Sequence, residues 1–257
     1  MPHRATSISS AVNPSRPSPR TTHWATVAGL LCSLLLGVTS AQAPTSTWRE
    51  VNLASLCVTE GAIEKAADDR LAVNAPKMRA YVNAWTGQSI EARFTYLGPT
   101  SKEEALGSGK MRRQFGFKLR AQDPCNLVYA IWRIGSESKQ PESKLVVSVK
   151  RNPDAHTSAE CGNRGYENIK PRKSAPVPRL RPGDSHTLRA EMKKEELRVF
   201  VDNREVWSGD VGADAAALAG RVGIRSDNAR LEFNLKTGPY EGAHPNYLRA
   251  CQSSDPD

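Results

Sequence analysis

The chain has 257 residues, with 36 Lys and Arg against 27 Asp and Glu and a net charge of +9. That length suits one all-β domain of about 200 residues plus an extension. The basic charges are scattered and no nucleic-acid fold signature accompanies them, so nucleic acid is not the expected partner. The bias is compatible with attraction to acidic polysaccharide or a membrane surface, and such a bias most often serves solubility alone.

Residues 1–43 read as a secretory signal peptide. A polar start carrying Arg16 and Arg20 precedes the apolar run Ala25–Val38, and Ala41-Gln42-Ala43 supplies small residues for a peptidase. Arg4, Arg16 and Arg20 are the only Lys, Arg, Asp or Glu side chains there, so +6 remains without them. The apolar run is shorter than the about 20 residues of a membrane span, so no transmembrane segment is expected after cleavage. Residues 44–257 then form one domain, secreted, periplasmic or at the cell surface. Cys32 leaves with the signal, and Cys57, Cys125, Cys161 and Cys251 predict two disulfides. Three pairings are open to four cysteines, and Cys125–Cys161 with Cys57–Cys251 is the expected one. Zinc is the rival use of cysteine, but no Cys-x-x-Cys or paired-His spacing supports it. No cofactor is expected.

Along the remaining chain, Trp48–Leu53 reads as a first strand, and Glu60–Leu71 has a helix-tolerant composition without an apolar face. Met78, Tyr81 and Trp85 punctuate a strand that turns at Thr86-Gly87-Gln88, and Ile90–Leu97 alternates cleanly. Pro99–Lys110 is loop. Its Gly107-Ser108-Gly109-Lys110 lacks the spacing of a phosphate loop. Arg112–Leu119 alternates again, with Phe115, Phe117 and Leu119 inward and Gln114, Gly116 and Lys118 outward. After the Asp123-Pro124 turn, Cys125–Ile134 is apolar on both parities, as in a central strand covered on both faces. Leu145–Val149 pairs with it. Asn152–Asp184 is the least regular segment, and the four prolines of its basic tract rule out a central strand. His186–Lys236 gives the clearest pattern: alternating runs joined by tight turns at Asp202-Asn203 and Ser226-Asp227-Asn228, residues that tolerate positive φ. Ala213–Leu218 is a short helical candidate. Ten to eleven short strands at intervals of about ten residues predict an all-β, antiparallel two-sheet β-sandwich.

Val201-Asp202-Asn203, Val206-Trp207 and Gly220-Arg221-Val222-Gly223-Ile224, followed by a strand with alternating Phe233, resemble the C-terminal half of concanavalin A-like (laminin-G-like) jelly rolls. The similarity is to bacterial sugar-binding and 3-keto-disaccharide hydrolase-like domains. It implies a fold that hosts lectins, adhesion modules, hydrolases and lyases alike, so activity must be argued from a site.

Glycoside hydrolysis needs two carboxylates about 5–10 Å apart. No strand carries acids at i and i+2 or i+4, and Glu191, Glu195 and Glu196 cluster at a hairpin tip among lysines. No Gly-x-Ser-x-Gly elbow marks a nucleophile. Asp227 and Asn228 offer two oxygen ligands for calcium, but the pair is also an ordinary turn. Binding fits better. Sugar sites combine aromatic faces with planar polar groups, and use Arg where the ligand is anionic. The candidate ligand-binding residues are Trp132 and Arg133 on the central strand, Asn163 and Tyr166 in the irregular segment, and Arg225 and Asp227 at a strand end. A tryptophan on a central strand equally suits the core. The expectation is a monomer that binds carbohydrate or another extracellular polymer without catalysis. A hydrolase of the same fold and a ligand-free adhesion protein are the alternatives.

Overall fold

The computed structural model describes residues 48–83, 88–135 and 143–238, all within the compact unit Pro44–Asp257. In chain order the strands are β1 (Arg49–Val51), β2 (Leu56–Glu60), β3 (Glu64–Lys65), β4 (Leu71–Val73), β5 (Lys77–Val82), β6 (Ser89–Pro99), β7 (Arg113–Asp123) and β8 (Asn126–Ile134). There follow β9 (Lys144–Lys150), β10 (Tyr166–Asn168), β11 (Lys173–Ser174), β12 (Ser185–Lys193), β13 (Glu196–Val201), β14 (Arg204–Asp210), β15 (Arg221–Asp227) and β16 (Ala229–Thr237). Eleven of these are five residues or longer, and ten of the expected strands are among them; the expected first strand, Trp48–Leu53, is the three-residue β1, and β2 has no counterpart in the sequence reading.

The strands form two antiparallel sheets. Sheet one runs β11-β14-β13-β12-β6-β16-β4-β3, with β1 also paired to β16. Sheet two runs β10-β9-β8-β7-β15-β5-β2. The expected antiparallel two-sheet sandwich is therefore the observed one. Period-two alternation produces it directly: Ile90, Ala92, Phe94 and Tyr96 of β6 and Leu231, Phe233 and Leu235 of β16 are all buried between the sheets. Phe115, Phe117, Val128, Ala130 and Trp132 meet them from sheet two. Phe94 packs on Phe115 at 5.2 Å and edge-on against Trp132 at 5.7 Å. Such aromatic pairs add about 0.5–1.5 kcal/mol beyond the area they bury. At the β13–β14 hairpin, Asp202 and Asn203 both take positive φ, 49° and 63°, which matches the twist of the flanking strands.

Some expectations need correction. Glu60–Leu71 is not helical: it contains β3 and a single 3-10 turn (Ala67–Asp69) leading into β4. Without an apolar stripe a helix there has nothing to bury, whereas Leu71 and Val73 each reach the core from β4. The predicted helix Ala213–Leu218 is one turn, Ala213–Ala216. Trp85, Thr86 and Gly87 lie outside the described residues. Gln114 and Lys118 do lie on the outer face of sheet two, but both are buried: Lys118 donates to the Tyr81 hydroxyl at 3.0 Å, and Gln114 belongs to the site described below.

The Pro-rich tract is a strap across the open side of the sandwich. Ile169 N–H donates to Val147 of sheet two, while Arg172 and Ala175 N–H donate to Ser208 and Val206 of sheet one. Its prolines sit where no ladder donor is required, and Val177 and Leu180 turn into the core.

The Cys125–Cys161 disulfide is present, with Cα atoms 5.8 Å apart. Cys57 is buried in β2, and its expected partner, residue 251, lies outside the described residues. The observed bridge joins the start of β8 to a one-turn helix, α1 (Ser158–Cys161), whose N-terminus Thr157 and Glu160 close with a capping box. Replacing Cys125 and Cys161 together by Ser should lower stability by up to about 4 kcal/mol, the chain-entropy value for a loop of this length. Urea unfolding followed by tryptophan fluorescence checks it.

Candidate ligand-binding pocket

The outer face of sheet two carries two charged rows that the register fixes. Glu60, Arg79, Arg225, Gly116 and Ile131 lie side by side across β2, β5, β15, β7 and β8. Beside them run Lys77, Asp227, Gln114 and Arg133. Asp227 is 0% exposed, so its carboxylate must be fully hydrogen-bonded. Arg79 Nη2 donates to Oδ1 at 2.6 Å; Arg225 Nε and Gln114 Nε2 donate to Oδ2 at 2.8 and 2.7 Å. This is why Gln114 is buried despite its polar parity.

Burial opposes the charge of Asp227, but Arg225 and Arg79 outweigh it and hold the carboxyl well below the ordinary 3.8. Burial likewise works against the Arg225 charge, and the Asp227 carboxylate reverses that. Arg79 is otherwise spent: its Nη1 donates to the Met78 and Ser226 carbonyls, and Glu60 lies 3.7 Å from its Nε. Arg225 is not. Beyond Nε, its terminal amines have no partner among the described residues.

A pocket of about 240 Å³ opens over this network, lined among others by Glu60, Lys77, Arg79, Tyr129, Lys150 and Arg225. Arg225 reaches it by lying over Gly116, its neighbour on β7, until its guanidinium carbon is 5.2 Å from the centre of the Tyr129 ring. Gly116 admits no side chain, since a Cβ would stand 2.2 Å from the Ala130 carbonyl oxygen. Tyr166 stacks on Tyr129, centroids 6.0 Å apart and planes 22° from parallel, and remains 44% exposed. Lys150 Nζ sits 5.2 Å over the Tyr166 ring and donates to the Pro124 carbonyl.

The walls are loops. One is the disulfide loop, contributing Ser158, Gly162 and Asn163; the other contributes Leu106 and Gly107. They touch where the Asn163 amide fills the space a side chain at Gly107 would need. The disulfide loop is pinned at its base by Asn126, which donates to Ala155 O and accepts from Asn152 N and Arg151 Nη1. His156 Nδ1 adds a 2.8 Å contact to Asp123.

No protein-family model matches the chain, and no curated protein matches it. Solved structures do match. A carbohydrate-binding module, CBM66 from Bacillus subtilis, is 12% identical, over 72% of this chain and 95% of that one, with a TM-score of 0.48. A Bacillus subtilis protein of unknown function with a galectin-like fold is 9% identical, over 76% and 100%, at 0.46. The Crh5 transglycosylase in complex with NAG is 8% identical, over 76% and 85%, at 0.47. These are similarities of fold.

Of the six ligand-binding residues expected from sequence, Asn163, Tyr166 and Arg225 converge on this pocket. Asp227 lies directly behind it, with both oxygens occupied by protein donors, so it positions Arg225 and is closed to a ligand or calcium. Trp132 is a correction: it is 0% exposed and faces the core, because its parity on β8 is opposite to that of Tyr129. Arg133 shares the outer face but lines a separate cleft of about 840 Å³ beside Lys144 and Arg179; burial and the nearby Arg112 charge push its pKa down. Lys77, Arg79, Tyr129 and Lys150 were missed. The signal was present in the alternation of Lys77, Arg79 and Tyr81, which puts two cations and a phenol on one face of a strand. Among the described residues no group of three or more His, Cys, Asp and Glu side chains is arranged to hold a metal. No helix among them is long and apolar enough to cross a membrane.

Two outcomes follow. Asp227→Asn leaves two buried guanidinium groups short of their counter-charge and should cost about 3–5 kcal/mol at neutral pH. Because the folded carboxyl titrates below its unfolded value, its stabilisation is complete above 3.8 and is lost as pH falls below that. Urea titrations at neutral pH and about pH 2.5 should show the variant losing less between the two than the native chain. His156 should titrate above 6.5, raised by its hydrogen bond to Asp123. An NMR titration of its ring protons checks this, with Asp123→Asn returning the value toward 6.5.

Proposed function

We propose that this protein binds carbohydrate without catalysis, through the pocket on the outer face of sheet two. One observation carries the reading: two stacked tyrosines, one of them open to solvent, border a hollow that contains a guanidinium with uncommitted donors. Aromatic faces suit the C–H surfaces of sugars, and planar donors suit their oxygens. A glycosidase would need a pair of carboxylates. Of the described residues that line the pocket, Glu60 is the single acid, and it faces Arg79. Residues 1–43 act as the export signal and 44–257 as the binding domain, which the Cys125–Cys161 disulfide supports, since such bonds persist in oxidising compartments.

Calorimetric titration against a panel of neutral and acidic oligosaccharides tests the reading. At least one should bind, and Tyr166→Ala should weaken it about tenfold, a loss of about 1.4 kcal/mol. The thermal midpoint should stay nearly unchanged, since the ring is half open to solvent. A chain that retains no saccharide of the panel would rule this function out.

A further inference from the structure

Resting on that reading, we infer that the saccharide is an acidic one, held by a sugar carboxylate docked on the free edge of Arg225. The six other charged groups of the neighbourhood are committed in ways that leave this edge singular. Arg79 has placed Nη1 on two backbone carbonyls and Nη2 on Asp227. Lys77 pairs with Glu104 at 3.5 Å at the rim, and Lys150 donates to a backbone carbonyl. Glu60 faces Arg79 and Asp227 is saturated. Arg225 alone has one side of its fork fixed, by Asp227, and the other side turned into the hollow.

That geometry is selective. A guanidinium presents donors in a plane at the spacing of the two oxygens of a carboxylate, and a bidentate pair results. The plane here is set in advance, by Asp227 on one flank and by the Tyr129 ring beneath at 5.2 Å. The charge also favours an anion, because the cations Arg79, Arg225, Lys77 and Lys150 outnumber the carboxylates Glu60 and Asp227. Lys150 and Lys77 line the same pocket and add to the positive field at its mouth. At about 240 Å³ the hollow falls below the range of about 300–1,000 Å³ typical of drug-sized ligand sites, and so suits one sugar ring. With the carboxylate on Arg225, that ring lies beside the exposed Tyr166. A uronate residue meets these requirements, with a planar, anionic carboxylate carried on a pyranose ring.

The test uses the disulfide-bonded protein and matched ligand pairs: trimers of galacturonate, glucuronate, mannuronate and guluronate, each beside its methyl ester. Esterification removes the charge and keeps the ring, so binding to at least one uronate should exceed binding to its ester by about 10- to 100-fold, the worth of a charged hydrogen-bonded contact. Arg225→Lys keeps a cation beside Asp227 but loses the fork. It should weaken the uronate about tenfold or more, and by a larger factor than it weakens the ester. Equal binding of acid and ester would overturn the inference while leaving carbohydrate binding intact. A sulfated neutral trimer bound more tightly than every uronate would overturn the carboxylate assignment. Binding of no saccharide at all would remove this inference together with the function it rests on. The native protein with the ester pairs decides the matter even if the Arg225 variant does not fold.

Discussion

The outer face of sheet two depends on one buried carboxylate. Asp227 bridges two guanidinium groups that β5 and β15 bring to adjacent positions, and it does so with no exposure to water. Two arginines side by side on paired strands would repel, as like charges directly opposite do. With Asp227 between them, the pair becomes a rigid cross-strand fixture that also captures Gln114 from β7. Three strands are thereby locked at the point where the pocket floor forms. A buried ion pair is weak evidence for stability in general, because desolvation offsets much of the attraction. Its value here is geometric, in fixing where one arginine points.

How much of this could be read from the chain differs by level. Fold class was fully legible, because β6, β7, β12, β13 and β16 alternate with period two and sheet register follows from which parity is apolar. Cys125–Ile134 was legible as doubly covered, and Leu127, Tyr129 and Ile131 are indeed buried on the face opposite Val128, Ala130 and Trp132. The site was legible only in part. Arg225, Asn163 and Tyr166 were found because they stand near turns and loops. Trp132 was misplaced because residue type suggested a ligand platform, whereas parity assigns that platform to Tyr129, three positions earlier. Arg79 and Lys150 were missed because alternation alone does not tell which strands are adjacent. Their meeting with Arg225 is a fact of strand order, and strand order joins residues 79, 116 and 225 through two sheets' worth of connections.

The pocket also shows how an irregular segment becomes a dependable wall. The loop that holds Asn163 and Tyr166 has little regular structure beyond one helical turn and a three-residue strand. Its order comes from point attachments: the disulfide at Cys161, the capping box at Thr157, the Asn126 and Asn152 side chains on its backbone, and the pairing of Tyr166 opposite Lys150. Each removes conformational freedom from a different portion of the loop, so the tyrosine arrives at the pocket on a braced backbone.

The edges of the two sheets have a separate consequence. Sheet one ends in β11 and β3, each two residues long, and sheet two ends on one side in the three-residue β10. An exposed edge invites another chain to add a strand in proportion to the unpaired backbone groups it presents, and natural proteins shorten their edges to avoid this. Two or three residues offer too few groups to template a neighbour. Among the described residues this leaves the five-residue β2, at the other end of sheet two, as the longest terminal strand and so the edge most open to a neighbouring chain.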